Sequence, residues 1–131
     1  MLPPTRLRPP ARILPGLAAL SGFTAIAVGA VAAHAVRDPQ AKAWLATAVQ
    51  FQLPHAAAVF ALLGWRDTNG VRAGAWLLLA GSLMFAASLD LLAFGLPRSV
   101  SALAPVGGLT MMAGWLLLAV TGFRSRAGAN V

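Results

Sequence analysis

Several residue types are scarce or missing from this sequence, and their absence excludes whole classes of protein. The 131 residues contain no cysteine, which removes disulfide bonds and thiolate chemistry and leaves the redox compartment open. Only two histidines and three acidic residues are present, in separate segments, so metal ligands are too few and too scattered. No glycine-rich loop joins a strand to a helix, as phosphate-binding loops require. The sequence therefore predicts no catalytic, cofactor or metal site, and no enzyme.

Charged residues are also rare, at 10% of the chain, whereas hydrophobic residues make up 59%. A soluble domain of this length cannot bury so much apolar surface, so the composition predicts a polytopic membrane protein. The net charge of +7 does not indicate a nucleic-acid partner, because the basic residues lie between or beyond the apolar segments and form no single soluble patch.

Four apolar segments have the length of membrane-spanning helices and predict an all-α fold, an integral membrane bundle of four transmembrane helices. We expect residues 1–12 to form a disordered, basic, proline-rich tail, and residues 124–131 to form a short polar tail. The predicted spans are about 13–36, 43–65, 73–96 and 100–123.

The first span has an alternative interpretation as a secretory signal peptide. Ala33-His34-Ala35 has the small-x-small form of a cleavage site, and arginines precede the span. The apolar region is about 20 residues long, whereas signal-peptide cores have about 7–15, so we favour a membrane-spanning helix.

Basic residues are divided unequally between the two sides of the membrane. Four spans place both termini on one side, together with the turn at 66–72. Seven of the ten basic residues fall on that side. The positive-inside rule therefore predicts that both termini are cytoplasmic.

Polar side chains occur inside the second and third spans, at a depth where lipid offers no hydrogen-bond partner. A rise of about 1.5 Å per residue places His55 near the bilayer centre, with Gln50 roughly 7 Å and Asp90 roughly 9 Å further out. The sequence thus predicts an intramembrane polar cluster in the outer half, with further polar residues at the outer interface. The cluster comprises Gln50, Gln52, His55 and Asp90, and the interface residues are His34 and Arg98.

The chemistry of this cluster has two interpretations. In the first, a protonated Asp90 is satisfied within the bundle, with Gln50 the better partner by depth and Arg98 able to reach inward. In the second, the cluster handles a proton or an ion, although a relay needs more ionisable groups in a row than are present. Pro54 has no N–H for the carbonyl of Gln50, so we expect the second helix to bend there.

Small residues form ribbons along three of the spans, which predicts close packing between helices. The ribbons are Ser21, Ala25, Gly29 and Ala33 in the first span, Gly74, Ser82, Ala86 and Asp90 in the third, and Gly107, Thr110 and Gly114 in the last.

Four runs of sequence together resemble one known family. They are SGFTAIAVGAVAAHAV, VQFQLPHAAAVFAL, GSLMFAASLDLLAF and APVGGLTMMAGWLLL. In this order and with these gaps, they resemble the small bacterial inner-membrane proteins of "domain of unknown function 423". That family has an aromatic residue where Pro54 stands and a tyrosine where Asp90 stands, so Asp90 is a feature of this chain.

The resemblance implies four helices in the bacterial inner membrane and no settled activity. We predict a small accessory or structural membrane component that associates with a protein or lipid partner, or with further copies of itself. The alternative is a small transporter or channel that uses the polar pocket in the outer half.

Overall fold

The computed structural model describes residues 9–127, including the side chains of residues 13–125, and consists almost entirely of helix. Each of the four long helices is long and apolar enough to cross a membrane, and the described residues contain no strand. The prediction of an all-α fold with four membrane-spanning helices is confirmed. The helices are α1 (Pro9–His34), α2 (Pro39–Trp65), α3 (Asn69–Ala93) and α4 (Leu103–Ala127), with a 3₁₀ helix (Arg98–Ala102) before α4.

The helices differ from the predicted spans at their ends. α1 begins four residues before its predicted start, and α4 continues four residues beyond its predicted end, to Ala127. The predicted tails therefore contribute residues to both helices. Their remaining parts, 1–8 and 128–131, lie outside the described residues.

The start of α2 is four residues earlier than predicted because the turn before it contains a helix cap. The carboxylate of Asp38 accepts a hydrogen bond from the amide of Ala41 at 2.7 Å. Pro39 occupies the first turn, where its fixed φ suits a helix and its missing N–H costs nothing. Asp38-Pro39 therefore begins α2, and the predicted start at residue 43 was four residues late.

α3 is shifted in the same direction at both ends. Thr68 caps its start by accepting a hydrogen bond from the amide of Val71 at 3.3 Å. At the other end Gly95 has φ +88°, and the amides of Gly95 and Leu96 return to the carbonyls of Leu92 and Leu91. This is a Schellman motif, and it ends α3 before the predicted residue 96.

The helices pack in chain order around α3. α3 lies between α2 and α4, while α1 packs mainly on α2 and approaches α3 at few points. Among the described residues, α4 makes no close backbone approach to α1 or α2. One buried cluster joins α1, α2 and α3, through Leu14, Ala18, Val59, Ala75 and Leu79, and a second joins α3 to α4, through Val71, Leu78 and Leu118.

Candidate functional site

Gln52 joins α2 to α1 through a group of hydrogen bonds. Its side-chain nitrogen donates to the carbonyl of Ser21 at 3.0 Å, to the hydroxyl of Ser21 at 3.3 Å and to the hydroxyl of Thr24 at 2.8 Å. The Thr24 hydroxyl in turn donates to the Ser21 carbonyl at 2.9 Å. We call these three residues the Gln52 junction.

Two residues of the Gln52 junction are buried, whereas Thr24 is exposed. Gln52 is only 4% exposed and Ser21 only 3%. Because α2 begins at Pro39, its middle residue is Gln52, so this side chain and not His55 is at the centre of the helix. A buried amide in hydrocarbon needs partners inside the protein, and α1 supplies them.

His55 joins α2 to α4. Its Nδ1 lies 2.6 Å from the Phe51 carbonyl, and the indole Nε1 of Trp115 donates to its Nε2 at 3.1 Å. A carbonyl can only accept, so Nδ1 carries the proton and Nε2 remains the acceptor for Trp115. A neutral imidazole therefore satisfies both partners at once. We call these three residues the His55 bridge.

The aromatic rings of the His55 bridge lie close together. The Phe51 ring stacks near the His55 ring, with centroids 6.4 Å apart, and the Trp115 ring meets His55 edge-on at 6.0 Å. The Phe51 ring also packs against the ring of Phe85 in α3, with centroids 4.7 Å apart. The His55 bridge therefore joins side chains of α2 and α4, and it also contacts α3, which lies between the backbones of these two helices.

The predicted polar cluster is divided among different contacts. Gln52 and His55 are three residues apart, which is about 60° around a helix, and this is enough to direct one to α1 and the other to α4. Gln50 is exposed on the outside of the fold, and no hydrogen bond joins it to Asp90 in the described part of the chain.

Asp90 is half-buried in the last turns of α3. Its Oδ1 is buried and has no hydrogen-bond partner among the described residues. Nor does it form an ion pair with Arg98, which lies five residues beyond the end of α3. At 100° per residue, Asp90 is about 160° around the helix from Gly74, so the ribbon read at a spacing of four does not stay on one face.

The two predicted interface residues lie at the same end of the molecule as Asp90. His34 is the last residue of α1 and is exposed. Arg98 begins the 3₁₀ helix and lines a cavity of ≈ 400 Å³ together with Trp44 and Ser101. In the described chain no three histidine or acidic side chains lie close enough to hold a metal ion.

Three partners in these contacts were not identified from the sequence. Ser21 was read only as a small packing residue, and Thr24 and Trp115 were not assigned a role. Ser21 and Thr24 are three apart, so they share a helix face, and two hydroxyl side chains on one face of an apolar span were the available signal for the Gln52 partner. Nothing in the spacing of the helices identifies Trp115 as the partner of His55.

Comparison with known proteins places these helices in a family. The family model described as "Protein of unknown function (DUF423)" matches residues 28–108, a stretch that includes all of α2 and α3. A UPF0382 membrane protein of Haemophilus influenzae is 36% identical over 116 residues, covering 85% of this chain and 94% of that protein.

Two further relatives agree with that assignment. The UPF0382 inner membrane protein YgdD of Escherichia coli (strain K12) is 32% identical over 116 residues, covering 82% of this chain and 86% of that protein. A UPF0382 membrane protein of Staphylococcus haemolyticus is 29% identical over 113 residues, covering 82% of this chain and 93% of that protein. No solved structure gives a significant match. The chain therefore belongs to the DUF423 family, whose UPF0382 members are membrane proteins, and is itself a four-helix membrane protein of that family.

Proposed function

We propose that this protein acts by association in the membrane, as a small accessory component that binds a protein or lipid partner. The observation that carries this proposal is that the central polar side chains are already bonded inside the fold. Gln52 is bonded to α1, and both ring nitrogens of His55 are bonded to Phe51 and Trp115. Groups engaged in this way hold neighbouring helices together, which supports a structural role for them.

The packing of the helices supports association over transport. A transporter needs a wet path, usually lined by polar or broken segments on both sides of the midplane. Here the helices pack in chain order, and α4 approaches neither α1 nor α2 closely in the described residues. This arrangement supports association, because helices that enclose a lumen pack against one another in a closed ring.

We also propose that both termini are cytoplasmic, on the basis of the unequal distribution of basic residues. Reporter domains fused after residue 131 and within 66–72 are expected to report the cytoplasm, and one fused within 37–42 the opposite side. A C-terminal fusion that reports the outside contradicts this orientation.

Flux through reconstituted vesicles tests the proposed function. Vesicles that contain the purified protein are expected to hold a proton gradient and small solutes as well as protein-free vesicles do. A saturable flux that disappears in Gln52→Leu or His55→Ala overturns the proposal. Gln50→Leu is the matched control, because Gln50 is exposed on the same helix and has no hydrogen bond to α1 or α4 among the described residues.

A transporter remains the second candidate because of Asp90. Its buried Oδ1 has no partner in the described chain, and buried acidic groups inside membranes commonly mark ion pathways. Asp90→Asn preserves size and hydrogen bonding while removing the ionisable group. If this variant loses a cellular phenotype at unchanged abundance, transport is favoured. If it behaves as the parent protein, association is favoured.

A further inference from the structure

Two adjoining cavities lie at the end of the molecule where α2 ends and α3 begins, against the last turns of α4. The first has a volume of ≈ 490 Å³ and is lined by Trp65, Gly122 and Phe123, among others. The second has a volume of ≈ 520 Å³ and is lined by residues of the α2–α3 turn and of α4. Arg66 and Ser125 line both, so the two cavities are neighbours.

The cavities carry two arginines that no acidic residue neutralises. Arg66 lines both cavities and Arg124 lines the second. Asp67 lies in the same turn but pairs with Arg72, at 3.2 Å. The remaining acidic residues lie at the opposite end of the helices, where Asp38 caps α2 and Asp90 precedes the end of α3. Within the described chain, Arg66 and Arg124 form no ion pair.

The start of α3 adds a second source of positive potential. Asn69 and Gly70 are its first residues, and both line the second cavity. The first amides of a helix have no intrahelical acceptor, and the helix dipole places a partial positive charge there. The Thr68 side chain accepts the hydrogen bond of the Val71 amide, so the amides of Asn69 and Gly70 are left for another acceptor.

The first cavity supplies an apolar wall beside these charges. Trp65, Phe123 and Gly122 line it, and Gly122 lies against Trp65, since a Cβ on Gly122 would be 3.7 Å from its ring. The guanidinium of Arg66 lies 5.8 Å from the Trp65 ring centroid. Tryptophan and arginine at a helix end are typical of the membrane interface. The site is therefore basic on one side and apolar on the other.

We propose that these two cavities bind an anionic phospholipid, with its phosphate held by Arg66 and Arg124 at the start of α3 and its acyl chains along the Trp65–Phe123 wall. This deepens the proposed function, because it names a lipid as the associated partner and rests on that proposal. Basic pockets between membrane helices bind anionic headgroups in the same way, by charge at the surface and apolar contact below it.

Lipid titration of the full-length protein in mild detergent tests the site. Phosphatidylglycerol is expected to raise the melting temperature of the protein and to be retained in native mass spectra. Phosphatidylcholine of the same chain length is expected to do neither. Each arginine contributes about a fivefold gain in affinity, so Arg66→Gln with Arg124→Gln is expected to weaken phosphatidylglycerol binding about 25-fold. The matched control is Arg37→Gln with Lys42→Gln, which removes the same charge from the other end of the helices and is expected to leave binding unchanged.

A variant that keeps both arginines separates the cavity from simple charge attraction. Gly122→Leu fills the first cavity without altering the charge and is expected to weaken retention of the lipid as well. Equal losses in the arginine pair and in the Arg37/Lys42 control, or full retention in Gly122→Leu, overturn the proposal. Inorganic phosphate alone, at matched ionic strength, is expected to give no stabilisation. If it stabilises the protein as phosphatidylglycerol does, the site is for free phosphate and the lipid assignment is wrong.

The two proposals fail in different measurements. A saturable flux in the vesicle assay contradicts association while leaving phosphatidylglycerol binding untouched. Loss of lipid selectivity in vesicles that remain tight contradicts this lipid site and leaves a protein partner as the associated molecule.

Discussion

The α1–α2 and α3–α4 interfaces join helices of similar length by different means. Between α3 and α4 the backbones approach so closely that a Cβ on Gly107 would be 2.6 Å from the Phe85 nitrogen and 2.7 Å from the Gly81 oxygen. Between α1 and α2 a Cβ on Gly29 would be 3.7 Å from a Val49 methyl group, which is an ordinary contact. The α1–α2 interface instead contains the hydrogen bonds of Gln52 to Ser21 and Thr24.

The contrast shows two ways in which helices associate without a hydrophobic driving force in lipid. Glycines let the α3 and α4 backbones meet, so that van der Waals contact supplies the attraction. α1 and α2 stay further apart, and a buried amide at the middle of α2 specifies which face of α1 it meets. The α3–α4 interface is therefore sensitive to added side-chain volume, and the α1–α2 interface is sensitive to the loss of hydrogen bonds.

The largest effect is expected for Gly107→Ala, which would break the close α3–α4 approach. The added methyl group meets backbone atoms of Phe85 and Gly81, which cannot rotate away. The helices must therefore separate, at a cost of about 1–3 kcal/mol in the free energy of unfolding. Unfolding in mixed micelles, followed by circular dichroism, measures this loss.

Gly108→Ala is the matched control for that substitution. Gly108 is the next residue in α4, and a Cβ there meets nothing within 4 Å. Removing a glycine from the helix is expected to stabilise the protein slightly, by about 0.5–1 kcal/mol. Equal behaviour of the two variants would show that α3 and α4 do not approach as closely as described.

The intermediate effect is expected for Gln52→Leu, which removes the polar contact between α1 and α2. Single hydrogen bonds between membrane helices contribute about 0.6 kcal/mol on average and up to about 1.7 kcal/mol, so we expect a loss in that range. The Thr24 hydroxyl keeps its own bond to the Ser21 carbonyl, which limits the loss. The same mixed-micelle unfolding measures it.

Gln50→Leu controls for the removal of a glutamine from a membrane helix. Gln50 is exposed two residues earlier in α2, so its replacement is expected to leave the free energy of unfolding unchanged or slightly raised. If Gln50→Leu costs as much as Gln52→Leu, the Gln52 junction does not specify how α1 and α2 pack.

The sequence predicted the helices well because hydropathy over about 20 residues is a strong signal that tertiary structure does not alter. Their ends were less predictable, since the Asp38-Pro39 cap and the Gly95 turn depend on local backbone geometry. The glycines of the close interface repeat at a spacing of seven, Gly74 with Gly81 and Gly107 with Gly114. This period is typical of left-handed helix pairs. The ribbon predicted in the last span contains both Gly107 and Gly114, whereas the ribbon predicted in the third span contains Gly74 without Gly81.

The polar contacts were harder to predict than the presence of polar residues. Depth along a helix follows from the sequence, which placed His55 near the bilayer centre and Gln52 with the polar cluster in the outer half. The helix that each side chain contacts depends on the order in which the helices pack. The position of α3 between α2 and α4 is part of the tertiary structure and does not follow from the sequence of any one helix. That order directs Gln52 to α1 and allows His55 to reach Trp115 of α4.

The smallest effect is expected for Gly29→Ala, and it tests the looser side of the comparison. The new methyl group would be 3.7 and 3.9 Å from the two methyl groups of Val49, so it fits without displacing them. Replacing a helical glycine by alanine also removes a conformational-entropy cost, and the expected change is therefore between zero and a gain of about 0.5–1 kcal/mol. Gly107→Ala measured under the same conditions supplies the reference for a glycine that cannot accept a Cβ. A loss in Gly29→Ala comparable to that in Gly107→Ala would mean that α1 and α2 also meet backbone to backbone. The two interfaces would then share one mechanism, and the hydrogen bonds of Gln52 would be an addition to close packing instead of its replacement.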